Sequence, residues 1–143
     1  MSTKIVAAAA LLLAGYAAGR VSSAPVAAAQ TPAGHVYEMR TYTAAEGKFA
    51  NVNARFRDHT VRIFQKHNMK SIGYWTPLEG PTAETTLIYI LEHPSREEAR
   101  KNWAEFGADP EWRKVKSESE AAGRIVAKLE SVFMTATDYS AIK

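Results

Sequence analysis

The chain has 143 residues, of which 46% are hydrophobic and 23% charged, and it contains no cysteine. This length suffices for one domain with a substantial core, and the missing cysteine excludes disulfides, thiolate catalysis and cysteine-bound metal clusters. The formal charge of +3 is not gathered into a basic segment, so nucleic-acid binding has little support. Stability must therefore come from the core or from oligomerisation.

The first residues carry the features of an export signal. Lys4 precedes an apolar run of 14 residues at positions 5–18, which is shorter than the ~20 residues that a membrane-spanning helix needs. Small residues at positions 27–29 then suit cleavage by a signal peptidase. We predict a signal peptide at residues 1–29 and an exported protein, periplasmic or secreted, with an uncleaved membrane tether as the alternative. Removing this segment takes away Lys4 and Arg20 but no acidic residue, which lowers the net charge from +3 to +1.

Residues 30–35 are predicted to form a linker, and a strand is predicted at residues 36–43. Alternation gives this strand one face with Tyr37, Met39 and Thr41 and another with Glu38, Arg40 and Tyr42. We expect the first set to face a core covered by helices. The second set is polar for a strand, and two interpretations remain open: a solvated face, or a polar cavity or dimer surface.

An amphipathic helix is predicted at about residues 48–67, with Asn68 as its C-cap residue. Its buried face is predicted to contain Phe49, Val52, Phe56, Thr60, Ile63 and His67, with His59 on the same face and Arg55 on the opposite one. The two histidines are eight residues apart, roughly 12 Å along the axis, so one metal ion cannot bind both and no metal site is predicted. Each is either a hydrogen-bonded core residue or a ligand contact. His35 and His93, at strand ends, are expected to face solvent.

Two strands are predicted to follow this helix. The first, at residues 70–76, presents Trp75, and its Gly73 allows another group to pack closely against the backbone. The second, at residues 85–92, is nearly all apolar, which predicts a central strand covered on both faces. Tyr89 is its single polar tip, and a buried tyrosine hydroxyl usually needs a partner.

The second half of the chain is predicted to contain two helices and a last strand. The motif SREE at residues 95–98 is a capping box for a helix that ends at about residue 106. The dipeptide DP at residues 109–110 begins the next helix. Its buried stripe is predicted to contain Trp112, Val115, Ser119, Ala122, Val126 and Leu129. The last strand is predicted at residues 131–137 and a loose tail at residues 140–143.

This order of elements, β-α-β-β-α-β, indicates an α+β fold. It predicts a ferredoxin-like monomer with one antiparallel sheet and two helical segments on one face of the sheet. The other face would be open, and the strand at residues 85–92 has no polar side to turn toward water. We therefore expect a homodimer in which the two sheets cover each other.

Five blocks of the sequence resemble the NIPSNAP family: YEMRTYT at residues 37–43, FQKHNMK at 64–70, IGYWTP at 72–77, LIYILEHPSREEARKNW at 87–103 and FGADPEWRKVKSES at 106–119. The resemblance covers residues 36–139. It implies membership of the dimeric α/β-barrel superfamily, in which two ferredoxin-like sheets close a barrel. It does not identify an activity, because related barrels include cofactor-free monooxygenases and haem-handling members, and other NIPSNAP proteins are described as interaction or signalling proteins.

Two functions remain open. The first is an exported homodimer that binds a small molecule, and its predicted ligand-binding residues are Tyr37, Tyr42, His67, Trp75, Tyr89 and Trp112. The alternative is a cofactor-free monooxygenase or isomerase acting on an apolar or aromatic molecule, with His59 as general base and Arg40 or Tyr89 stabilising the oxyanion. Neither function requires a cofactor. Haem binding, with His59 or His67 as axial ligand, is a third candidate.

Overall fold

A computed structural model describes residues 34–142, which form an antiparallel sheet of four strands with helices packed against one face. The strands are β1 (Val36–Ala44), β2 (Lys70–Trp75), β3 (Thr86–His93) and β4 (Val126–Thr135), in the order β2-β3-β1-β4. This confirms the predicted α+β, ferredoxin-like monomer, with β3 as a central strand. The predicted signal peptide and residues 30–33 of the predicted linker lie outside the described residues. Within residues 34–142, none of the helices is long and apolar enough to cross a membrane.

The predicted helix at residues 48–67 exists, but a π-helical segment interrupts it. Helix α1 (Phe49–Arg55) continues through the π segment (Phe56–Thr60) into helix α2 (Val61–Lys66). The wider turn is visible in a backbone bond from Val61 N–H to the Phe56 carbonyl, five residues back, and in a bond from the Thr60 hydroxyl to the Arg55 carbonyl at 3.1 Å.

The π segment changes which side chains this helix buries. An extra residue in the turn displaces the positions between Phe56 and Thr60 around the axis, so those two remain buried while His59 is exposed. The prediction that His59 points between the helix and the sheet is therefore wrong. Arg55, the last residue of α1, is also buried, so the prediction that it lies on the solvent face is wrong.

The stop after α2 matches the prediction for Asn68. This residue adopts a positive φ of 55°, the left-handed conformation that asparagine tolerates. Its N–H bonds to the Gln65 carbonyl at 3.2 Å, and the N–H of Met69 bonds to the Phe64 carbonyl at 2.9 Å. This pair of bonds is a Schellman motif, which ends the helix and directs the chain into β2.

On β1 the structure reverses the predicted assignment of the two faces. Glu38, Arg40 and Tyr42 face the helices, whereas Tyr37, Met39 and Thr41 lie on the open face. The Trp103 indole of the next helix donates to Glu38 at 2.6 Å, and the Tyr42 ring packs 5.6 Å from the Phe56 ring. The register with β3 explains the choice, because Leu91, Tyr89 and Leu87 lie opposite the three helix-facing residues and belong to the core.

Two further helices complete the covered face, α3 (Arg96–Ala108) and α4 (Pro110–Ser119). Ser95 Oγ accepts from the Glu98 N–H at 3.0 Å, which confirms the first half of the predicted capping box. The prediction that α4 continues to residue 129 is wrong. The helix ends at Ser119, the chain turns at Gly123 with φ 105°, and β4 begins at Val126, five residues before the predicted start.

The core between sheet and helices is a cluster of aromatic rings centred on Tyr89. This residue is 0% exposed, and the Tyr42, Phe56, Phe64 and Tyr74 rings lie 5.4, 5.2, 5.8 and 5.7 Å from its own. Each such pair contributes about 0.5–1.5 kcal/mol beyond the burial of its area. Tyr89, predicted as a ligand-binding residue, is thus enclosed by the core.

Candidate functional site

The Glu38 carboxylate on the helix-covered face is 1% exposed and has four polar partners. It accepts hydrogen bonds from Arg40 Nη1 at 2.8 Å, Ser131 Oγ at 2.6 Å and Trp103 Nε1 at 2.6 Å, and His93 Nε2 lies 3.2 Å away. Burial alone would raise the pKa of Glu38, but the hydrogen bonds to His93, Ser131 and Trp103 and the charge of Arg40 outweigh it and lower the pKa to about 2. His93 is fully buried, so the expectation that it faces solvent is wrong.

Arg40 is held by Glu38 and by aromatic rings. Its guanidinium carbon lies 4.0 Å from the Trp103 ring centroid and 5.8 Å from that of Tyr42. Among the described residues, the buried Arg40 Nε has no hydrogen-bond partner. Its neighbour on β3 is Tyr89, whose ring packs against that of Tyr42. Burial raises the pKa of Tyr89 well above its usual value, so its hydroxyl stays protonated.

His59 is not brought together with Arg40. It lines a surface groove of about 220 Å³ between the π segment and α4, where Asp58 and Glu118 are also present. Arg40 instead lies on the sheet beneath Trp103. The predicted pairing of His59 as base with Arg40 as oxyanion stabiliser is not formed.

His67 joins the end of α2 to the start of α4. Its Nε2 lies 2.6 Å from Asp109 Oδ2, which also accepts from Lys66 Nζ at 2.7 Å. The other oxygen, Oδ1, accepts from the Glu111 N–H at 2.7 Å and so caps α4. The hydrogen bonds from Lys66 and His67 lower the pKa of Asp109. Nothing in this geometry requires a ligand, and His67 serves to fix two helices together.

The open face of the sheet carries an apolar cavity of about 280 Å³. Its lining residues are Tyr37, Ile72, Ile90, Met134, Thr135, Ala136, Thr137, Ser140 and Ile142. The Tyr37 hydroxyl is buried and has no hydrogen-bond partner within residues 34–142. Apolar walls with few polar groups are the usual composition of small-molecule sites.

Trp75 lies on the same open face but is not one of the cavity's lining residues. Its indole folds back over Gly73, where an added Cβ would lie 2.7 Å from the ring. This confirms the close packing predicted at Gly73. The indole remains 48% exposed, which is unusual for so large an apolar group.

Tyr42 and Trp112 line a different cavity, of about 210 Å³, on the helix-covered side beside β4. The basic residues Arg55, Lys116 and Arg124 are also part of its lining. The sequence reasoning missed Arg55. Its position three residues after Val52 places it beside the buried stripe, and that spacing is the one signal that could have indicated burial.

The candidate residues are therefore distributed over separate places rather than one pocket. Tyr37 lies in the open-face cavity, Tyr42 and Trp112 lie in the cavity beside β4, and Tyr89 lies in the core. Within residues 34–142, no three histidine, aspartate or glutamate side chains are grouped so that they could hold a metal ion.

Comparison with known proteins agrees with this fold. The family model for NIPSNAP domains matches residues 37–141. A NIPSNAP family protein of unknown function from Agrobacterium tumefaciens has a solved structure similar to this one, with a TM-score of 0.68 at 20% identity over 78% of this chain and 96% of that chain. A NIPSNAP-like domain protein from Burkholderia xenovorans is similar with a TM-score of 0.65 at 16% identity, over 76% and 90% of the two chains. At these identities the likeness shows the fold alone. No curated protein matches the chain.

Proposed function

The chain belongs to the NIPSNAP family, and from that premise we propose that it is a homodimeric domain that binds an apolar small molecule on the open face of its sheet. The observation that carries this proposal is the apolar cavity of about 280 Å³ whose wall includes Tyr37, a residue with a buried hydroxyl that has no hydrogen-bond partner among the described residues. Small-molecule sites typically combine apolar walls with few placed polar groups, and this cavity has that composition.

The proposed dimer uses the rest of the open face. Met39 and Val132 share that face with the cavity residue Ile90, and Val132 is 50% exposed in the single chain, as Trp75 is at 48%. Apolar side chains this exposed on a sheet face indicate an interaction surface. A second copy is the occupant we propose, because a two-fold axis brings the same apolar face of each chain together.

The size of the cavity limits the class of ligand. A dry apolar cavity of ~150 Å³ accepts benzene, so about 280 Å³ suits a molecule of roughly two fused rings. The Tyr37 hydroxyl can hydrogen-bond one polar group at the edge of such a molecule. 1-Naphthol has both features, and naphthalene lacks only the hydroxyl.

Calorimetric titration with these two probes tests the proposal. The wild-type protein is expected to bind 1-naphthol more tightly than naphthalene. Tyr37→Phe should remove that preference, weakening 1-naphthol about fivefold to tenfold and leaving naphthalene unchanged. Ile90→Trp, which fills the cavity, should remove the binding of both. Equal binding of the two probes by wild type and Tyr37→Phe would exclude Tyr37 as the polar contact.

We also propose that the domain works outside the cytoplasm. Support comes from the sequence of residues 1–29 alone, with its basic start, short apolar run and small-residue site. Mass spectrometry of protein isolated from the cell envelope is expected to find a chain that begins near residue 30. A chain that retains residues 1–29 would indicate a membrane tether instead.

A cofactor-free oxygenase or isomerase is the second candidate, and one observation favours it. Arg40 and Tyr89 occupy paired positions on β1 and β3, and the buried Arg40 Nε has no hydrogen-bond partner within the described residues, as a donor of an oxyanion site would need. His59 is exposed, however, so this mechanism lacks the base that was assigned to it. Incubation of the protein with 1-naphthol in air, followed by mass spectrometry, should show no oxidised product if binding alone is the function.

A further inference from the structure

The cavity beside β4 differs in chemistry from the one around Tyr37. Its apolar wall includes Tyr42, Trp112 and Leu129, and its polar wall includes Arg55, Lys116 and Arg124. Tyr42 and Leu129 lie opposite each other on the helix-covered face of the sheet, whereas Tyr37 belongs to the open face. The two cavities are therefore on opposite sides of the sheet, and this one does not depend on dimerisation.

Arg55 is the central cation of this cavity. Its side chain is 4% exposed, and Nη1 donates to Ser119 Oγ at 3.2 Å and to Glu120 Oε1 at 3.0 Å. Its guanidinium carbon lies 5.3 Å from the Trp112 ring centroid. Arg55 Nε is buried and has no hydrogen-bond partner in the described part of the chain. A buried guanidinium N–H without an acceptor is rare in folded proteins, because leaving it unpaired is costly.

The charges around Arg55 do not cancel. Glu120 neutralises one positive charge, but among residues 34–142 no ion pair involves Lys116 or Arg124. Lys128 also lines the cavity, but its ammonium is 2.9 Å from Glu130 and is therefore already paired. A surplus of about two positive charges, on the exposed Lys116 and Arg124, therefore remains beside this recess and attracts an anion.

We infer that this recess binds a small anionic ligand, a carboxylate or phosphate attached to an apolar body of about one ring. The anionic group would pair with Lys116 and Arg124, and the charge of the buried Arg55 guanidinium would add to the attraction. The apolar body would lie against Tyr42 and Leu129. The volume of about 210 Å³ exceeds the ~150 Å³ of an apolar cavity that binds benzene, and the difference leaves room for one charged group.

The test uses the full-length chain and two-dimensional NMR of nitrogen-labelled protein, in which arginine Nε–H and tryptophan indole N–H groups are observed directly. Phenyl phosphate is the main probe, with inorganic phosphate as the probe without a ring and benzyl alcohol as the probe without charge. Phenyl phosphate is expected to shift the Arg55 Nε–H and Trp112 indole signals in a saturable manner. Inorganic phosphate should bind at least tenfold more weakly, and benzyl alcohol should leave the Arg55 signal unchanged.

Two double variants with equal loss of charge separate this site from general attraction. Lys116→Ala with Arg124→Ala removes the unpaired cations of the recess, and Lys101→Ala with Lys114→Ala removes two exposed cations elsewhere. The first variant should raise the dissociation constant for phenyl phosphate about tenfold for each cation lost, and the second should leave it within about twofold. Equal weakening in both variants, or no saturable shift of Arg55 in wild type, would overturn the inference.

Discussion

The two faces of the sheet divide the chemistry of this protein in an unexpected way. The helix-covered face holds a buried ion pair, Glu38 with Arg40, and the open face holds mainly apolar residues. From polarity alone, the charged residues would be expected on the open face and the apolar residues beneath the helices. Glu38 tolerates burial because its oxygens have four polar neighbours, whereas apolar residues tolerate exposure only until another surface covers them. A buried charge thus requires partners within the chain, whereas an exposed apolar face requires a partner outside it.

Removing the charge of Glu38 is the strongest test of this difference between the two faces. Glu38→Gln should lower the free energy of unfolding by about 3–5 kcal/mol, because Arg40 would then be a buried charge without its partner. Glu130→Gln is the matched control, since this exposed carboxylate pairs with Lys128 on β4 and its loss should cost at most about 1 kcal/mol. Urea denaturation measures both. A loss below about 1 kcal/mol for Glu38→Gln would mean that the buried cluster does not stabilise the covered face.

Acid should weaken the same face before the open face is affected. The pKa of Glu38 is about 2 in the folded chain against an ordinary value of 4.5, so its ionised form contributes stability that is fully present above about pH 4.5. That contribution is lost progressively as the pH falls from about 4.5 through 2, and below this range Glu38 is protonated in both the folded and the unfolded chain. Denaturation curves between pH 5 and 2 should therefore show a steeper loss of stability for wild type than for Glu38→Gln. Equal slopes would contradict the low pKa.

These two predictions concern the polar cluster around Glu38, which could not be predicted from the sequence. The strands β1 and β3 were predictable, because their apolar and alternating patterns are local. The partners of Glu38 were not, since Trp103 and Ser131 are 65 and 93 residues away along the chain. Without them a glutamate and an arginine on alternate positions look like a solvated face. The cavity beside β4 could not be predicted for the same reason, because its lining residues are distant along the chain. There, α4 was expected to continue, but the chain turns back into a strand instead.

The open face can be tested by placing a charge on it. Val132→Lys should convert a homodimer into a monomer, because a lysine at the centre of an apolar interface would be buried without a partner. Leu78→Lys is the control, since Leu78 is 92% exposed in the loop after β2 and lies away from the strands that form the face. Light scattering at micromolar concentration reports the mass. A wild-type mass of one chain would remove the proposed dimer, and a dimer of Val132→Lys would place the interface elsewhere.

The smallest expected effect is that of His59, the residue whose position in the structure differs most clearly from the one that its sequence spacing predicts. Spacing put this residue on the buried side, but the extra residue of the π segment turns it to solvent while Phe56, three positions earlier, stays in the core. His59→Ala should therefore change the free energy of unfolding by no more than about 0.5 kcal/mol. Phe56→Ala should cost about 3–5 kcal/mol, because it leaves a cavity among the aromatic rings of the core.

The two substitutions together report whether the π segment exists in solution. If the helix were regular, His59 would return to the buried side, and its truncation would cost several times more than a surface change. A loss above about 2 kcal/mol for His59→Ala would contradict the displaced turn, and weaker binding of 1-naphthol by this variant would restore His59 as a site residue.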